Sequence, residues 1–278
     1  MKPYQILECL TRQPLLMSPG AVESILTVFQ QHAQLSAEDY RLAREGKDVC
    51  GDKVALEQMT VDKGLAMIPV KGPLGVNLGP FEKGAGATDY MDIQADLKTA
   101  LNDEKVENIL LVMDTPGGMY GGLPETAKLI DQVAAFKPVW AYVPPGGQCS
   151  SAGMYLAASA TGRLLAPSAS MGSIGVYFAY TDLSEMAKQR GIKVKVFSSG
   201  KYKGAGVPGT ALTEDQEDMI QERVLELAEE FYGHIRANLG DIPDEAMQGQ
   251  TFRAEESVRL GFANAIVESL DEMKSFLR

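Results

Sequence analysis

Apolar and polar positions along this chain fall into two alternating rhythms. Short, nearly continuous apolar runs occupy residues 65–70, 109–113 and 139–143, the pattern of parallel strands buried on both faces. Between them, apolar residues recur at helical spacing. Ile93, Leu97 and Leu101 do so within residues 89–102. A second run starts at Pro124, a favourable first helical residue, reaches about Phe136 and is closed by Lys137-Pro138. Farther on, residues 163–166 and 174–177 read as short strands flanking Ser170-Met171-Gly172-Ser173. Asp182-Leu183-Ser184-Glu185 reads as a capping box opening a helix to Arg190, and residues 192–197 read as another strand. Thr213-Glu214-Asp215-Gln216 is a second capping box, ahead of a long helix to about Asn238. The tail predicts a helix at 254–260, a strand at 264–267 and a last helix. Strands alternating with helices imply an α/β fold with a mostly parallel sheet and helical cover.

Residues 1–60 read differently, as a helical N-terminal arm. Ser18-Pro19-Gly20-Ala21 can open a helix through Ile25, Val28 and Phe29, and the stretch 37–52 is rich in charge. Residues 61–278 are expected to form the α/β domain, with 75–87 as a glycine-rich loop.

Composition narrows the chemistry. The chain has 278 residues, 45% of them hydrophobic, and a net charge of −11. That charge argues against a nucleic-acid backbone as partner. Cys9, Cys50 and Cys149 form neither a disulfide framework nor a metal site, and His32 and His234 give no zinc spacing. No metal and no cofactor is expected. No apolar run approaches the roughly 20 residues of a membrane span. The first eight residues lack the apolar core of a secretory signal, so a cytoplasmic location is predicted.

Three glycine- or hydroxyl-rich breaks follow predicted strands, at residues 114–118, 144–152 and 198–206. The C-terminal ends of strands are where sites form in open α/β sheets. In the second break, Ser150 and Ser151 stand between a strand and an apolar run. A strand, a tight turn and a buried helix would set a serine at a helix N-terminus, where free N–H groups favour developing negative charge. A lone Ser-Ser pair reads more readily as an N-cap, and either serine is a possible nucleophile. Gly117-Gly118 could offer N–H groups to an anion or could form a plain turn. A serine nucleophile needs a base. Neither histidine lies near a break, which leaves a Ser-Lys pair, with Lys203 first and Lys201 next. Taken singly, each lysine also reads as a solvated loop charge.

The ordered set of motifs resembles the signal peptide peptidase A family of serine peptidases. The nearest branch is the phage and prophage capsid assembly, or prohead, peptidases similar to the minor capsid protein C of lambda. The matching pieces are Met67-Ile68-Pro69-Val70-Lys71-Gly72-Pro73-Leu74, Asp114-Thr115-Pro116-Gly117-Gly118 and Ser150-Ser151-Ala152-Gly153-Met154-Tyr155-Leu156-Ala157. Met171-Gly172-Ser173-Ile174-Gly175-Val176 and Gly200-Lys201-Tyr202-Lys203 complete the set. Pro14-Leu15-Leu16-Met17-Ser18-Pro19 also looks like the phage branch.

The resemblance implies a Clp protease/crotonase-like fold of ββα units and assembly into a ring-forming homo-oligomer. It implies Ser151 as nucleophile, Lys203 as general base and Ser173 as the hydroxyl that helps hold the lysine. The N–H groups of Gly118 and Ala152 would form the oxyanion hole. Gly117 and Gly172 are further candidates for substrate binding. The family often has glycine where this chain has Ala152, and Pro144-Pro145-Gly146-Gly147 is unusual just before the serine. The implied activity is a serine endopeptidase acting on polypeptide; the small residues around the Ser-Lys pair suggest a narrow site with a preference for small or apolar side chains beside the cut. Its substrates would be phage scaffold, portal or capsid proteins, in the host cytoplasm or the procapsid. The alternatives are a bacterial peptidase for signal-peptide remnants or misfolded protein, an acyl-CoA enzyme on the same fold, and a non-catalytic capsid assembly protein.

Overall fold

The computed structural model describes residues 15–17 and 58–277. The apolar runs become strands β3 (Leu65–Lys71), β6 (Asn108–Asp114), β8 (Val139–Val143) and β10 (Gly162–Leu165) of one six-stranded sheet. Its order is β13-β10-β8-β6-β3-β2, with β13 at Ala265–Ile266 and β2 at Thr60–Asp62. Every neighbouring pair is parallel except β2 with β3.

Alternate residues of each strand point to opposite faces, and both faces are apolar. Ala66, Ile68, Val70, Ile109, Leu111, Met113, Ala141 and Val143 enter one large core. Leu65, Leu110, Tyr142 and Leu164 enter a second with Val267 and Met273. The first core is covered by helices α2 (Tyr90–Asn102), α3 (Leu123–Ala134), α4 (Ala152–Ala158) and α6 (Glu214–Leu239). Pro69 sits past the reach of β2, which pairs only with Leu65 to Met67. Its missing N–H therefore breaks no antiparallel ladder.

Each central strand is followed by a short one before the chain turns back. β4 (Leu74–Gly75) follows β3, β7 (Gly117–Met119) follows β6, and β9 (Gln148–Ser150) follows β8. β11 (Ser170–Gly172) follows β10. With α3 and α4 behind them, β6-β7 and β8-β9 are ββα units, as the resemblance implies. The short strands build two small sheets, β1-β7-β4-β5 and β12-β11-β9, where β1 is Leu15–Met17, β5 Thr88–Asp89 and β12 Thr251–Arg253. The breaks at 114–118 and 144–152 thus meet above the C-terminal ends of the main strands.

Several expectations are corrected. Residues 15–17, within the arm expected to be helical, form a strand; the helix expected from Ser18 lies outside the described residues. The loop at 75–87 contains a short helix, α1 (Pro80–Gly84). The strand expected at 174–177 forms earlier, as β11, because residues 170–172 find β9 as a parallel partner. Asp182 does not cap as expected: its carboxylate accepts from Ser184 N at 2.8 Å, and α5 (Ser184–Gln189) starts without a side-chain cap. Residues 192–197 form no strand. The capping box at Thr213 does form with Gln216. The tail adds α7 (Ala254–Arg259), β13 and α8 (Leu270–Phe276), as expected. Among the described residues no helix is long and apolar enough to cross a membrane.

Candidate active site

The Pro144-Pro145-Gly146-Gly147 segment closes a turn through Gly147 N–H to Pro144 O at 2.9 Å and delivers the chain into β9. β9 is held on both sides. Thr115 N–H donates to Gln148 O at 2.7 Å and Ser150 N–H to Thr115 O at 3.0 Å. On the other edge β9 pairs in parallel with β11, Gly172 opposite Ser150.

One residue beyond that pair the chain reverses. Ser151 adopts φ 54°, ψ −111° and α4 begins at Ala152. Its N–H donates to Gly172 O, and its carbonyl accepts from Tyr155 N, both at 2.9 Å. Ser173, the next residue on the partner strand, also has φ 54°, and its N–H donates to Gln250 O at 2.6 Å. A non-glycine residue at positive φ costs about 1–3 kcal/mol, and such residues gather at functional sites. Only four occur among the described residues, and two are these serines, the others being Lys63 and Asn77. The strand spacing of about 4.8 Å puts Ser151 and Ser173 side by side. Ser150, the competing serine, lies in regular β9 with its hydroxyl directed to Gln148 Oε1 at 3.3 Å. The backbone therefore separates two serines that the sequence leaves equivalent.

The glycine pair arrives through β6. Thr115 is wholly buried; its hydroxyl donates to Gly72 O at 2.7 Å and accepts from Gly117 N at 3.1 Å. That fixes the turn into β7. Gly118 lies against β4, where a Cβ would stand 2.1 Å from Leu74 O. At Gly153 a Cβ would stand 2.5 Å from Thr115 Cγ2, so α4 can press on the β6–β7 turn only with glycine there. Ala152, buried as the first residue of α4, has an N–H with no partner inside the helix. Its methyl group is accommodated without loss of that position.

Ser151, Ser173, Ala152, Gly172, Gly117 and Gly118 thus converge on one turn cluster. Ser151 is only 1% exposed and Ser173 6%. Neighbouring Cys149 is buried, which pushes its thiol far above the ordinary range and leaves it inert. Lys203 is not brought in: it is exposed and lines an open groove with Phe178, Tyr180, Tyr202 and Glu226. Among the described residues no hydrogen bond joins it to Ser151. Residues 177–213, which carry it, add no strand to the sheets. Lys201 is paired with Asp215 at 3.1 Å, and its hydrogen bonds to Tyr202 and Asp215 raise its pKa, away from what a base requires. His234 packs on α4, its ring stacked 3.8 Å from that of Tyr155, whereas His32 lies outside the described residues. Among the described residues no cluster of three His, Cys, Asp or Glu is placed to hold a metal ion.

Residues 131–276, more than half of the chain, match peptidase family S49. The chain belongs to that family. It is 32% identical over 213 residues to capsid assembly protease C of Escherichia phage lambda, covering 76% of this chain and 48% of that protein. It is 28% identical over 274 residues to the head-tail preconnector protein GP5 of Enterobacteria phage P21, covering 93% and 54%. The chain thus spans about half the length of these curated relatives. A solved 1510-N membrane-bound stomatin-specific protease shares the fold at a TM-score of 0.51 and 16% identity, over 78% of this chain and 85% of that one. In this S49 chain the sequence reading missed Thr115. Its signal was a small hydroxyl two residues ahead of glycine in Thr115-Pro116-Gly117, a local side-chain turn.

Proposed function

We propose that this chain is a serine endopeptidase of the phage head-maturation type, with Ser151 as nucleophile and Lys203 as general base. The observation that carries the reading is the strained turn at Ser151, φ 54° and ψ −111°, beside Ser173 and the Gly117-Gly118 edge in a family S49 chain. A neutral Lys203 takes the hydroxyl proton of Ser151, which attacks a peptide carbonyl. The N–H groups of Gly118 and Ala152 receive the oxyanion. The amine leaves with a proton returned by Lys203, and water hydrolyses the acyl-enzyme by the same route. Ser173 is the hydroxyl that orients the lysine, and Gly117 and Gly172 border the bound chain. The substrate class is phage scaffold, portal or capsid protein, in line with the names of the two phage relatives.

This mechanism requires Lys203 to meet Ser151. The largely exposed segment 177–213, with Phe197 91% exposed and Ile192, Val194 and Val196 also exposed, is the surface we expect to be covered in a ring-shaped homo-oligomer. The rival reading, a non-catalytic assembly protein, is favoured by the separation of Lys203 from Ser151.

The deciding experiment is cleavage of unfolded casein by the wild type, Ser151→Ala, Ser150→Ala and Lys203→Ala, read by gel and mass spectrometry. The reading expects cutting by the wild type and Ser150→Ala only. Cutting by Lys203→Ala refutes the lysine base. Phage particles made with Ser151→Ala should retain uncleaved portal or scaffold protein; particles indistinguishable from wild type would favour the assembly role.

A further inference from the structure

The outer edge of β7 is occupied. In the main sheet β6 lies between β3 and β8. Their continuations keep that order above the sheet. β4 follows β3 and pairs with β7 through Leu74 and Gly118. β9 follows β8 and is tied to the end of β6 by the Thr115–Cys149 bridge. One edge of β7 is therefore taken by β4, and the other turns toward the β9–α4 reversal that holds Ser151. On that second edge lies β1. It runs antiparallel to β7, Leu15 opposite Met119, Leu16 opposite Gly118 and Met17 opposite Gly117.

A second observation agrees with this placement. Ser151 is 1% exposed and Ser173 6% exposed, so both serines are shielded from solvent in this state. An extended segment added to a sheet edge is held by main-chain hydrogen bonds, which tolerate many sequences. The position between the glycine edge and the strained serine is where such a segment would have its carbonyl beside both.

We propose that the chain's own Leu15–Met17 is a tethered, displaceable occupant of the outer edge of β7, holding the place that one extended polypeptide segment, antiparallel to Gly117–Met119, would otherwise take. Calling the competing outside segment a substrate rests on the peptidase reading; the occupancy of the lane does not. The competition is between a tethered strand and a free one. A tethered segment acts at an effective concentration on the order of millimolar, so a micromolar outside segment loses until residues 15–17 leave.

The test uses the full-length chain carrying Ser151→Ala and a fluorescent peptide of residues 12–21 as probe. Proline lacks the N–H, and alternate strand residues direct that group to opposite edges. Leu16→Pro and the double change Leu15→Pro/Met17→Pro are therefore both made, because one of them must break the ladder to β7. The peptide should bind at least tenfold more tightly to one of these proteins than to Ser151→Ala alone. Equal affinity for all three, or binding to none, overturns the inference. With Ser151 restored, the same change should lower KM for a peptide at least tenfold. Tighter binding without any cleavage keeps the lane and refutes the peptidase reading, whereas cleavage at one unchanged KM does the reverse. A check that needs no proline is amide exchange: millimolar peptide added to the Ser151→Ala protein should speed exchange at residues 15–17, and unchanged exchange overturns the inference.

Discussion

Thr115→Val removes one oxygen and adds one methyl group at nearly constant volume, so it isolates what the hydroxyl does. In the folded chain that oxygen donates to Gly72 O at 2.7 Å and accepts from Gly117 N at 3.1 Å, at a wholly buried position. Valine leaves the half-buried Gly72 carbonyl and the buried Gly117 N–H without these partners. Each unsatisfied group costs about 1–3 kcal/mol, and partial relaxation brings the expected loss to about 2–4 kcal/mol. With a urea slope of about 3 kcal/mol/M for a chain of this size, the midpoint should fall by about 1 M. Thr115→Ser keeps both hydrogen bonds and deletes the Cγ2 that Gly153 packs against, a loss of about 1 kcal/mol. Activity should follow the same order. Gly117 leads into Gly118, and a shift of about 1 Å in a catalytic group can cost about 100-fold in rate. The assay is urea unfolding of the three proteins, with casein hydrolysis measured where each is folded. Volume alone predicts the opposite order, valine harmless and serine worse. That order would refute the hydroxyl's role as the clamp on the β6–β7 turn.

Two further outcomes are expected. Gly118→Ala would place a Cβ 2.1 Å from Leu74 O and 2.6 Å from Leu74 C, backbone atoms that cannot rotate away; overpacking of this kind costs about 1–3 kcal/mol, and casein hydrolysis should fall by about 100-fold or more if the Gly118 N–H holds the oxyanion, so near-normal hydrolysis would exclude that donor. His234 is half-buried, with Nε2 2.9 Å from Tyr155 O, and burial lowers its pKa below the ordinary value; the unfolded chain therefore takes up a proton below about pH 6.5 that the folded chain resists, so stability falls as pH drops from about 7.5 to about 5, the fall should be smaller in His234→Gln by urea unfolding, and equal falls would rule the residue out.

The parts of this molecule that could be read from the chain are those whose backbone is decided nearby. The runs at 65–70, 109–113 and 139–143 are apolar on both faces and became central strands. The Ser150-Ser151-Ala152-Gly153 motif announces a tight reversal because small residues alone permit it, and the reversal is there, with Gly153 against Thr115. The parts that misled are those that depend on a free sheet edge. Residues 192–197, Ile-Lys-Val-Lys-Val-Phe, alternate as a strand should, yet no edge among the described residues meets them, and Phe197 stays 91% exposed. Residues 15–17 carry no alternation, yet they form a strand, because β7 offers an edge on which three residues can pair. Pairing is a non-local contract, so propensity names the candidates and the available edge chooses among them. The same cause accounts for Lys203. It follows the 192–197 segment by six residues, and on the proposed reading the surface that covers that segment would also set where the lysine stands relative to Ser151. A change that breaks the alternation, such as Val194→Asp/Val196→Asp, should therefore lower hydrolysis as severely as Lys203→Ala while leaving the unfolding free energy measured in urea within about 0.5 kcal/mol of wild type. Full activity in that double variant would show that the lysine reaches the serine without the segment being covered.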